Sequence, residues 1–127
     1  MLKASEIPPE KLAEYARGMQ RRAEASREAL ERRRLRTQEV ARRAAALLKE
    51  KFGARRVVLF GSLAREPKIF YERSDIDLAV WGLDESLYFR ALQRLRELDP
   101  EIEVDLVEFE FARPGIRRAI EREGKEL

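Results

Sequence analysis

Asp75 and Asp77 stand two residues apart within Asp75-Ile76-Asp77-Leu78-Ala79-Val80-Trp81, and Asp105 lies in a later apolar run, Val104-Asp105-Leu106-Val107. In an extended chain, positions i and i+2 point the same way about 6.5 Å apart, which suits two carboxylates to ligating one or two divalent cations. If the run bearing Asp105 lies beside the first, its side chain joins the same face and makes a three-carboxylate cluster. Such a cluster can hold two magnesium ions, one orienting an attacking oxygen and one bridging a triphosphate and its leaving pyrophosphate. A purely structural role explains these aspartates poorly, because unpaired carboxylates among apolar neighbours cost stability. Gly61-Ser62, directly after Arg56-Val57-Val58-Leu59-Phe60, offers the other half of such a site. The glycine lets the backbone turn closely against a phosphate, the serine hydroxyl and nearby N–H groups can donate to it, and a following helix N-terminus favours its charge. Arg65 has two roles open to it: reaching a phosphate oxygen, or pairing with Glu66 or Glu72.

Composition narrows the alternatives. The chain has no cysteine and no histidine, which excludes disulfides, thiolate chemistry, the usual zinc ligands and the commonest general base. A length of 127 residues, 44% hydrophobic, fits one domain with one core. No stretch approaches the roughly 20 apolar residues of a membrane span, and Met1-Leu2-Lys3-Ala4-Ser5-Glu6 lacks the apolar run of a signal peptide, so the expected location is the cytoplasm. The net charge of +3 is unevenly spread: residues 1–52 carry 14 Lys and Arg against 8 Asp and Glu, residues 53–127 carry 13 against 16. A basic arm (residues 1–52) therefore precedes an acidic body (residues 53–127).

The elements that must position these residues follow from periodicity. After Pro8-Pro9, strong helix formers run to Phe52 with only Gly18 to weaken them, predicting one long helix or two in series hinged near residues 33–37. Leu12, Ala16, Met19, Ala23, Ser26 and Leu30 recur at 4-3 spacing, a thin seam suited to packing on a partner or on a second copy of the chain, or, equally, on the body itself. Beyond Gly53, short apolar runs alternate with amphipathic segments. Strands are expected over 56–60, 75–81 and 102–109, with Ile76, Leu78 and Val80 on one face and Asp75 and Asp77 on the other. Helices are expected from Leu63 to just before Pro67, from about Asp84 to Leu98, and over 114–123, stopped by Gly124. The fold class is α+β: a small mixed sheet with flanking helices, preceded by a helical arm.

Taken together, Phe60-Gly61-Ser62-Leu63-Ala64-Arg65, then Ser74-Asp75-Ile76-Asp77-Leu78-Ala79-Val80, then Val104-Asp105-Leu106-Val107 resemble the MNT family of minimal nucleotidyltransferases, in the DNA polymerase β superfamily, over roughly residues 37–127. The resemblance implies ATP with magnesium, Asp75, Asp77 and Asp105 as metal ligands, Gly61, Ser62, Arg65 and Ser74 around the nucleotide, and Asp105 placed to help deprotonate an acceptor hydroxyl. It further implies an antitoxin that adenylylates a tyrosine of a HEPN-type toxin. Two departures stand out: Glu66-Pro67 follows Arg65 where the family usually has glycine, and the loop over 66–73, with Lys68, Phe70 and Tyr71, is somewhat long.

Other readings compete with that one. The fold could serve as a contact-only antitoxin, with the arm and Phe109, Phe111 and Ile116 as its interface, although three retained carboxylates argue against a degenerate site. Transfer to a small molecule is a further alternative. A nucleic-acid grip by the arm's arginines is the weakest, since interleaved Glu24, Glu28, Glu31 and Glu39 fit i,i+4 pairing on a solvated helix.

Overall fold

The computed structural model describes residues 7–61, 64 and 75–127. Residues rich in Ala, Leu, Glu and Arg form a single helix, α1 (Pro9–Phe52), and the possible hinge at 33–37 is helical, because polar residues interrupt an apolar seam without removing a backbone hydrogen bond. Packing divides the chain into two units, Met1–Leu35 and Arg36–Leu127. The described residues of the first are exposed nearly throughout; among the described residues, every buried one lies at Thr37 or later. No helix among the described residues is long and apolar enough to cross a membrane.

In the second unit, β1 (Arg56–Phe60) pairs antiparallel with β2 (Ile76–Trp81), which pairs parallel with β3 (Val104–Glu108). A parallel pair requires a crossover, and the connection carries α2 (Tyr88–Glu97). After α3 (Pro114–Glu123), a two-residue strand, β4 (Lys125–Glu126), joins the free side of β1, so the order is β3-β2-β1-β4. The alternation expected for 75–81 is realised: Ile76, Leu78 and Val80 are fully buried on the face covered by α2 and by the last turns of α1, through Val40, Ala44, Leu48, Ala91 and Leu95. On the opposite face, among the described residues, Ile120 of α3 packs on Val58 and Ala79, flanked by Phe60, Trp81 and Phe109.

Element ends depart from expectation in two places. Asp84 does act as a cap, accepting from Ser86 N at 3.0 Å and Ser86 Oγ at 2.8 Å, but it caps a 3-10 turn, Glu85–Leu87, from which α2 continues. The third strand runs from Val104 to Glu108 rather than over 102–109: before it a turn is closed by Ile102 N–H donating to Asp99 O at 3.0 Å, and after it Phe109–Phe111 form a 3-10 turn that lays the Phe109 ring on Trp81 with centroids 4.5 Å apart.

Candidate active site

The register of the parallel pair builds the site. Asp77 and Asp105 are direct partners across β2 and β3, as are Ile76 with Val104 and Leu78 with Leu106. Neighbouring strands lie about 4.8 Å apart, so the two carboxylates stand side by side on the face opposite the main core. Both are half-buried. On that face α3 packs over Val58 and Ala79, leaving Asp77 and Asp105 at the end of the sheet where β2 and β3 begin.

Gly61 closes one side of this site. Its φ of +77° lies in the left-handed region that favours glycine, and a Cβ built there would overlap Asp77 Oδ2. Backbone thus comes closer to the carboxylate than any other residue type would allow. The Ala64 N–H donates to the Gly61 carbonyl at 3.1 Å, so the chain turns as soon as β1 ends.

Asp75 sits just before β2 and is tied to Glu103, in the segment that leads into β3. Its Oδ2 accepts from Glu103 N at 3.1 Å, while its own N–H donates to Glu103 O at 3.0 Å. Asp77 and Asp105 are therefore brought together, whereas Asp75 lies one step along, engaged with Glu103. Among the described residues no three carboxylates converge tightly enough to form a ready metal cage. The donor set nevertheless suits a hard cation: it is all carboxylate oxygen, two groups share one register, and the glycine cradle keeps space beside them. Ser62, Arg65 and Ser74, and the start of the short helix expected at Leu63, lie outside the described residues.

One site neighbour is not evident from sequence. Arg96, in the last turn of α2, places Nη2 3.4 Å from Asp105 Oδ1 and donates from Nε to Val104 O at 3.2 Å. It sits off the apolar stripe of α2, with no motif to mark it; only the crossover brings it to Asp105. Further along β3, Tyr88 donates to Leu106 O at 2.6 Å, so side chains of α2 occupy two carbonyls of the edge strand. Burial raises the Tyr88 hydroxyl above its usual pKa, helped by the charges of Glu108 and Asp105. Burial likewise raises the Glu108 carboxyl, with repulsion from Glu85 and Glu110 adding to it.

Residues 43–127 match the family described as polymerase beta, nucleotidyltransferase. The chain belongs to that family. Among solved structures, this nucleotidyltransferase is similar to a chain of the toxin-antitoxin pair MntA-HepT, at 25% identity over 70% of this chain and 69% of that one, TM-score 0.53. It is similar to a chain of a toxin-antitoxin structure with AMP-PNP, at 27% identity over 64% and 66%, TM-score 0.52. It shares its fold with a chain of the complex of a tri-AMPylated Shewanella oneidensis HEPN toxin with MNT antitoxin, at 23% identity over 71% and 70%, TM-score 0.53. The chain spans about two thirds of the length of these toxin-antitoxin chains, from 66% to 70%. None of the curated proteins matches the sequence.

Proposed function

We propose that this nucleotidyltransferase moves AMP from ATP to a hydroxyl, a tyrosine, on a partner toxin of the HEPN type, and so acts as its antitoxin. The observation that carries the reading is the side-by-side placement of Asp77 and Asp105 near the start of β2 and β3, with Gly61 held against Asp77. In this reaction the acceptor oxygen forms a bond to the α-phosphorus, the bond from that phosphorus to the bridging oxygen breaks, and pyrophosphate leaves. The hydroxyl proton passes to Asp105, whose strand position is directly paired with that of Asp77. Magnesium held by Asp77 and Asp105, with Asp75 as third carboxylate, would neutralise the triphosphate and the leaving group. Arg96 orients Asp105 through its ion pair and steadies the strand beneath it. Gly61, with Ser62, Arg65 and Ser74 nearby in sequence, seats the nucleotide's phosphates. Similarity to a toxin-antitoxin structure with AMP-PNP supports the adenine nucleotide, and similarity to the MntA-HepT pair supports the kind of partner.

A contact-only antitoxin is the second reading, favoured by one feature. Phe111 and Ile116 are 63% and 40% exposed, and with Tyr88 and Leu106 they line a groove of about 370 Å³. Phe109 does not contribute to that surface, since its ring is stacked on Trp81.

The deciding experiment follows label from the α-phosphate of ATP, with magnesium, onto the co-purified partner, comparing wild type with Asp77→Asn and Asp105→Asn. Transfer to the partner that falls at least about a hundredfold in either variant is the expected result. Tight partner binding without label, from folded protein that binds ATP, would hand the account to contact alone.

A further inference from the structure

The first unit presents an apolar seam whose described residues are exposed. Leu12, Met19 and Leu30 are 45%, 64% and 57% exposed, and Ala16, Ala23 and Ser26 between them are exposed too. Spacing of 4-3 places these six on one stripe of α1, in the geometry by which one helix packs on another. The small residues allow a close approach but bury little area, so the flanks of the seam must decide what it accepts.

Those flanks are of one sign. On one side of the stripe lie Ala13, Gln20, Arg27 and Arg34, and on the other Tyr15, Arg22 and Ala29. Every carboxylate of this stretch, Glu10, Glu14, Glu24, Glu28 and Glu31, falls on the outward side of the helix, away from the seam. Two of them reach flank residues along the helix: Glu31 takes Arg34, and Glu24 accepts from Gln20 at 3.4 Å. A second copy of the chain would set like against like. In a parallel pair Arg22 meets the Arg27 of the other copy, and in an antiparallel pair each flank meets its own kind, cationic or neutral throughout.

We infer that the seam of α1 is a docking surface for an amphipathic helix of another protein, one with small or branched apolar residues at 4-3 spacing and carboxylates flanking them. This surface is independent of the chemistry at Asp77 and Asp105. Apolar contact sets the register, and Arg22 and Arg27 supply the attraction, so binding weakens as salt rises.

The test uses the full chain and three labelled synthetic helical peptides, read by fluorescence anisotropy. The first has Leu and Ala in the seam and Glu on both flanks; the second keeps the seam but carries Lys on the flanks. The third has the composition of the first with its apolar residues scattered around the helix. The first should bind at least tenfold more tightly than the other two. In Arg22→Glu/Arg27→Glu the preference should reverse, the lysine-flanked peptide binding better, with helix content by circular dichroism unchanged. That reversal separates recognition from loss of fold. Equal binding of the first and third peptides would overturn the inference, as would an unchanged preference in the variant. A dimer by sedimentation that Met19→Ser/Leu30→Ser dissociates would make the occupant a second copy instead. Duplex RNA bound more tightly than the first peptide, through the same two arginines, would make it a nucleic acid.

Discussion

Gly61 shows how a single missing methyl group governs the site. Alanine there must adopt a φ of +77° and overlap the Asp77 carboxylate, so Gly61→Ala should cost about 1–3 kcal/mol in denaturant unfolding and reduce AMP transfer at least tenfold. Loss of stability with transfer intact would mean that the close approach serves only the turn. Glu108 supports a pH prediction. Burial raises its folded pKa above the unfolded value, so the native state binds the extra proton and Glu108's contribution to stability is lost as pH rises through that interval. Glu108→Gln should therefore raise the melting temperature slightly at pH 7. The gain should vanish well below the ordinary carboxylate range, where Glu108 is protonated in both states. At this scale much was legible: alternation alone set Asp75 and Asp77 opposite Ile76, Leu78 and Val80. Arg96 was not, because its value lies in a contact nine residues along that only the crossover creates.

Among the elements, α3 is the cover of the second sheet face and stands on few residues. Ile120, 3% exposed, is its one buried side chain, packed on Val58 and Ala79. Ile120→Ala should cost about 2–4 kcal/mol by chemical denaturation, as a large-to-small change in a core. By contrast, Glu126→Gln should cost under about 1 kcal/mol, because its ion pair to Arg56, at 2.5 Å, lies at an exposed edge. Equal losses would mean that β4 is held by charge rather than by α3's anchoring. Helices and the three longer strands are visible in sequence because periodicity is a local property repeated over many residues. Two-residue β4 is too short to show any period, and it exists because Gly124 lets the chain return to β1: a Cβ there would collide with the Ile120 carbonyl and Val58.

For the molecule as a whole, the burial pattern predicts where stability resides. Among the described residues all core residues lie at Thr37 or beyond, so residues 36–127 made alone should keep a cooperative unfolding transition within a few degrees of the full chain and lose the acidic-helix binding inferred above. A molten or unfolded fragment by near-UV circular dichroism would show that the first unit contributes to the core after all. Sequence by itself determined the residue types able to do chemistry, the faces on which they fall, and the basic charge of the arm, since each can be read from the residues alone. Tertiary structure alone decided that Asp105 stands beside Asp77 while Asp75 turns to Glu103, and that α1's last turns share the core of the sheet. Strand register and helix docking are contacts between distant residues, chosen by the burial of Ile76, Leu78, Val104 and Leu106 together, and no window of the chain contains all of them.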